Sequence, residues 1–62
     1  MKAVWQIEMN RRDNYFWYMK SDGDITMIPA VALEFLTYEE CEKYRKEHDF
    51  ENRFHSQKMW RN

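Results

Sequence analysis

Cys41, His48 and His55 are the side chains best equipped for chemistry, and they follow one another at intervals of seven residues. A thiol beside an imidazole can act as nucleophile and base. Three such groups can also contribute to a metal site. Context argues against both uses. Cys41 falls at the fourth position of an expected helix, where a small apolar side chain fits, and a free cysteine is usually buried and inert. Structural zinc takes its ligands in short paired spacings, and a single cysteine allows no Cys-x-x-Cys pair. Ser21 and Ser56 have no base at a meaningful spacing. The sequence holds no Gly-x-Gly-x-x-Gly, phosphate loop, nucleophile elbow or His-Glu-x-x-His. A chain this small also has little volume for a substrate cleft. The expectation is a non-enzymatic protein with no metal and no cofactor.

A second chemistry is stacking. Phe16 and Tyr18 stand near the cations Arg11, Arg12 and Lys20. Aromatics on an open sheet face, with cations beside them, stack bases in single-strand nucleic-acid modules. The Lys/Arg-Gly-Phe/Tyr-Gly/Ala-Phe-Val-x-Phe/Tyr motif of one such module is absent. The charge is also unhelpful: 10 Lys+Arg against 11 Asp+Glu give a formal charge of -1. Residues 1–38 carry 4 basic and 5 acidic groups, and residues 39–62 carry 6 of each, so neither half has the basic footprint of a phosphate binder.

Length bounds what can position these residues. A chain of 62 residues makes one domain, 1–62, and domains near this size are marginal without a staple or a partner. One cysteine excludes an internal disulfide and fits a reducing, cytoplasmic compartment. No secretory signal is visible. The longest charge-free run, Ile25 to Leu33, contains Pro29 and falls far short of the roughly 20 residues a membrane span needs. Leu, Ile, Val and Phe total only 11, but three Trp, four Tyr and five Met can build a core from few large side chains.

The pattern predicts five elements. Residues 2–9 alternate, with Ala3, Trp5, Ile7 and Met9 on one side and Lys2, Gln6 and Glu8 on the other, as in a half-buried strand. Residues 10–14 are turn-prone. The aromatic run 15–20 reads as a second strand. Ser21-Asp22-Gly23-Asp24 is the strongest turn signal, and Gly23 suits its positive φ. Residues 25–28 form a third strand that ends at Pro29. Residues 30–36 read as a connection whose Phe35 and Leu36 plug into the core. Thr37 then caps a helix, with Glu40 completing the capping box and Leu36 and Cys41 placed for a hydrophobic staple. Glu39–Lys43 and Glu42–Lys46 make favourable pairs along it. Tyr38, Cys41, Tyr44 and His48 share a face, and the helix ends near Asp49. Phe50 and Phe54 are also compatible with a helix, but the period-two run Phe54, Ser56, Lys58, Trp60 favours a last strand over 53–60. The order β-β-β-α-β specifies an α+β fold, a small antiparallel sheet with one helix packed on one face.

One helix covers one sheet face. Trp5, Ile7, Tyr15, Trp17, Met19, Ile25 and Met27 are the natural set beneath it. Phe16 and Tyr18 then point the other way, joined by Val4 and Ile28. An uncovered apolar patch of this kind marks an interaction site. The expected partner surface is Val4, Phe16, Tyr18 and Ile28, with Arg11, Arg12 and Lys20 as a charged rim. The competing arrangement folds residues 30–36 or Trp60 over that face and makes it ordinary core.

The functional expectation is a small protein-binding module that docks this face on a partner protein or on a second copy of itself. The alternative is a single-stranded nucleic-acid binder using the same face. Its length and its wealth of aromatics and Met give the chain the general look of small phage or mobile-element accessory proteins, many of which modulate a host protein. That likeness is one of style and rests on no residue match.

Overall fold

In β1, Lys2–Met9, the alternation of side chains gives two faces, and the strand sits at the centre of the sheet. The computed structural model describes residues 1–11 and 13–62. Along one side β1 pairs antiparallel over its whole length with β4, Phe54–Arg61, from Lys2 opposite Arg61 to Met9 opposite Phe54. Along the other it pairs with β2, Tyr18–Met19, which pairs in turn with β3, Ile25–Thr26. The strand order is β3-β2-β1-β4, with one α-helix, α1, at Tyr38–His48. The expected α+β architecture is the one observed, and β1, α1 and β4 lie within a residue of their expected bounds.

The second and third strands are shorter than the sequence suggests. The Asp13 side chain accepts from Tyr15 N–H at 2.8 Å and bends the chain there, leaving Tyr15 and Phe16 exposed. Trp17 still reaches the sheet through its carbonyl, which accepts from Met9 N–H at 2.8 Å. Gly23 turns the chain at φ 85° as expected. After β3, the Thr26 hydroxyl accepts from Ile28 N–H at 3.0 Å, and Pro29 opens a single 3-10 turn, Pro29–Val31. Tyr15 and Met27, expected beneath the helix, are exposed because both lie beyond these bends.

Ile7, Met19 and Cys41 form the core under α1, with Trp5, Phe35, Tyr44 and Phe54 packed around them. Fully burying a side chain such as Ile7 contributes roughly 1.5–3 kcal/mol. Phe35 plugs in as expected, and its backbone exchanges two 2.8 Å hydrogen bonds with Trp5. Leu36 does not, being 69% exposed, so the staple to Cys41 is not made. Instead Tyr38 meets Trp5 edge-on, ring centroids 5.1 Å apart. Thr37 caps α1 by accepting from Glu40 N–H at 3.2 Å. Glu42 turns to Arg45 rather than to Lys46.

Residues 28–34 strap the second sheet face. Val4, Gln6, Glu8 and Tyr18 all lie there and all are buried. Gln6 Nε2 donates to Pro29 O at 2.8 Å, and Leu33 N–H donates to Met19 O at 3.1 Å. Arg61 clamps the strap through Glu34 at 2.8 Å.

Candidate interaction surface

The strap separates the residues expected to form one patch. Val4 and Tyr18 are 2% and 6% exposed, so they are core and cannot anchor a partner on this surface. Ile28 lies exposed on the strap, beside Met27 and Val31. Phe16 is exposed in the loop before β2, with the Arg11 guanidinium 4.7 Å from its ring centroid. Lys20 pairs with Asp22 at 3.8 Å. Arg12 lies outside the described residues.

Cys41, His48 and His55 do not converge. The Cys41 thiol is fully buried between helix and sheet, and burial pushes its pKa up, which disfavours the thiolate. His48 stacks on Tyr44 at 3.9 Å. His55 alternates with Ser56 along β4 and so faces away from α1. Among the described residues no three His, Cys, Asp or Glu side chains gather as a metal site would need.

Two polar clusters went unread in the sequence. Glu8 stands opposite both Tyr18 and His55 in the sheet. Its carboxylate Oε1 lies 3.0 Å from His55 Nε2. Desolvation, with Glu8 beside it, pushes the Tyr18 pKa up. Asn10 Oδ1 lies 2.7 Å from His55 Nδ1. On the other face, Arg45 forks onto Glu42 at 2.8 and 3.0 Å and reaches Asp49 at 3.2 Å. Ser56 also donates to Glu42. Arg45 and then Ser56 hold the Glu42 pKa down to about 2. A shallow cleft of about 360 Å³ lies over this second cluster, lined in part by Tyr38, Arg45 and Ser56. Its charged groups already satisfy one another, which leaves little to grip a substrate.

The remaining feature is the free side of β4. The odd-numbered residues Trp5 and Met9 of β1 spend their main-chain groups on Phe35 and Trp17. The even-numbered residues therefore face β4, as the bond from Asn10 N–H to Arg53 O shows. On β4 the main chains of His55, Gln57, Met59 and Arg61 point to β1, and those of Phe54, Ser56, Lys58 and Trp60 point outward. Asp49 Oδ2 accepts from Phe54 N–H at 2.9 Å, and Arg45 Nη1 donates to Phe54 O at 3.5 Å. No other strand among the described residues flanks Ser56, Lys58 and Trp60.

The chain matches no family model, no curated protein and no solved structure.

Around that free edge the helix leaves the sheet uncovered. Registers place Ala3, Trp5, Lys58 and Trp60 on the helix side. Yet α1 begins at Tyr38, beside Trp5, and runs towards Phe54. Tyr38 and Trp60 stay 47% and 58% exposed. Lys58 Nζ lies 5.0 Å from the Trp60 ring centroid. The sequence signals for this surface were the period-two run Phe54, Ser56, Lys58, Trp60 and the late start of the helix. The pairing of β4 with β1, which leaves β4 at the edge, had no local signal.

Proposed function

We propose that the chain is a small binding protein without catalytic activity of its own, acting by docking on protein at the uncovered end of its sheet. The reading rests on outward-facing main-chain groups at Ser56, Lys58 and Trp60 beside two exposed aromatic side chains, Tyr38 and Trp60. Main-chain groups give a docking strand affinity, and adjacent aromatic side chains give it an anchor. The partner is a protein that offers an extended strand, or a second copy of the chain. An accessory protein that modulates a host protein in the cytoplasm suits this equipment. No helix among the described residues is long and apolar enough to cross a membrane.

A second reading has its own support. Arg11 over Phe16 and Lys58 over Trp60 are cation–aromatic pairs of the type that stack bases. The balanced charge weighs against it.

The test is capture of the tagged chain from lysate of its source cell, with and without nuclease, beside a Trp60→Ser variant and a second copy carrying a different tag. A protein or second copy that survives nuclease and is lost with Trp60→Ser supports protein docking. Captured material that vanishes with nuclease moves the nucleic-acid reading to first. Equal capture by the variant sinks the assignment of the surface.

A further inference from the structure

We infer that β4 pairs with β4 of a second copy, antiparallel about a two-fold axis through Met59. The inference rests on the reading of the β4 edge as a docking surface and names the occupant.

An exposed edge strand is a template for another strand, and proteins usually blunt it with charge (lysine above all), proline, a bulge or a covering loop. Lys58 is the one such charge between Ser56 and Trp60, and pairing about Met59 sets it against an indole. Over Ser56–Arg61 β4 has no proline, and its register with β1 runs without a bulge. Near Phe54 the edge is covered, because Asp49 and Arg45 occupy that residue's main-chain groups. Pairing is thus confined to the stretch from Ser56 onward.

A two-fold axis perpendicular to the sheet sets residues of the same face opposite each other, so it must pass through one residue. An axis at Gln57 sets Trp60 of the second copy against Phe54, where the edge is already taken. An axis at Lys58 sets two ammonium groups opposite each other, which is destabilising. An axis at Met59 sets Lys58 opposite Trp60 of the second copy, and Trp60 opposite its Lys58. Both residues present outward main-chain groups, so each pair exchanges both hydrogen bonds. The ammonium then finds an indole face across the strand, as it already finds one within its own chain. An axis at Trp60 would set Lys58 opposite Asn62, which lies beyond the end of β4 at Arg61, so of these registers the one at Met59 satisfies both the backbone and the charge within the strand.

The carbonyls of Lys58 and Trp60 now accept from Gln57 Nε2 at 3.2 Å and Arg61 Nη1 at 3.4 Å. These long contacts from neighbouring side chains stand in for the absent strand and give way to it. On the helix side, the axis lies near Tyr38, which packs on Trp5 opposite Lys58 and is 47% exposed. α1 runs from Tyr38 away towards Phe54, so the two helices diverge from the axis and do not collide.

Two measurements test the inference on the full chain. Sedimentation equilibrium is expected to give a dimer that Lys58→Pro converts to monomer with unchanged circular dichroism. Lys58→Pro removes an outward N–H and no bond to β1, whereas Lys58→Ala keeps the N–H and the dimer. The second measurement does not depend on proline being tolerated. Met59 has its main chain turned to β1, so across the axis it forms a non-hydrogen-bonded pair with Cα atoms about 4.5 Å apart, within disulfide reach. Under mild oxidation Met59→Cys is expected to cross-link to a dimer, while Gln57→Cys stays largely monomeric. A monomeric wild type overturns the inference, and so does equal cross-linking of the two variants. Either failure leaves protein docking standing, since that reading falls if the captured material vanishes with nuclease or if Trp60→Ser captures the same partner as the wild type.

Discussion

The side chains of Gln6 and Arg61 meet at the carbonyl oxygen of Pro29. Gln6 Nε2 donates to it at 2.8 Å and Arg61 Nη2 at 3.3 Å, and Arg61 Nη2 also donates to Gln6 Oε1 at 2.9 Å. Gln6 comes from the central strand, Arg61 from the edge strand and Pro29 from the strap. A fully buried amide therefore locks the strap over Val4 and Tyr18. Gln6→Met keeps the volume and removes both bonds. The expected loss is about 1–3 kcal/mol in urea unfolding, the cost of unsatisfied buried polar groups. Stability unchanged from wild type would show that the strap holds without this lock.

Tyr18 and Phe16 are two residues apart and should behave oppositely. Tyr18 is 6% exposed, and burial beside Glu8 raises its pKa. Tyr18→Ser should destabilise by roughly 3–5 kcal/mol, as truncation of a buried aromatic does, and is expected to unfold much of the chain. Phe16 is 47% exposed and stacks with Arg11 alone among the described aromatic and cationic contacts. Phe16→Ser should cost no more than about 1 kcal/mol. Thermal unfolding followed by circular dichroism separates the two variants. Equal costs would mean that the strap does not define the core as described.

That contrast also marks what the sequence could and could not reveal. β1 was legible because Ala3, Trp5, Ile7 and Met9 alternate cleanly, and α1 because Thr37 and Glu40 announce its cap. Both signals are local. The covered second face was legible only as the competing arrangement, in which residues 30–36 fold over it, because Gln6 and Glu8 look like solvent-side residues in an alternating strand. They are buried because partners distant in the chain satisfy them, Pro29 O for Gln6 and His55 for Glu8. The run at Tyr15 and Phe16 misled for a related reason. Aromatic density favours a strand, but one Asp13 hydrogen bond to Tyr15 N–H bends the chain before the strand can form. The free side of β4 depends on strand order, which no single stretch encodes.

Glu42 should make the fold acid-sensitive. Arg45 and Ser56 hold its pKa at about 2 against an ordinary value of 4.5. A depressed carboxylate contributes stability that is fully present above the unfolded-state value and is lost as pH falls through the folded-state value. Stability should therefore decline from about pH 4.5 down to about pH 2. Glu42→Gln should be less stable at neutral pH and show a shallower acid limb. Urea midpoints collected across that range check both effects. An acid limb as steep in the variant as in the wild type would assign the sensitivity to other carboxylates.

Cys41 offers a direct check on whether the thiol has chemistry of its own. Its thiol is fully buried in the core with Ile7 and Met19, and desolvation raises its pKa. The thiolate is the reactive species, so both effects slow alkylation. In native buffer Cys41 should react with iodoacetamide far more slowly than free cysteine, and urea should restore the ordinary rate. Cys41→Ala, which removes a small buried group, should cost about 1 kcal/mol and leave partner capture unchanged. Alkylation in the native state as fast as that of free cysteine would show that the helix lifts from the sheet often enough to expose the thiol. A captured partner lost with Cys41→Ala, in a variant that remains folded, would give the thiol a role that its burial denies it.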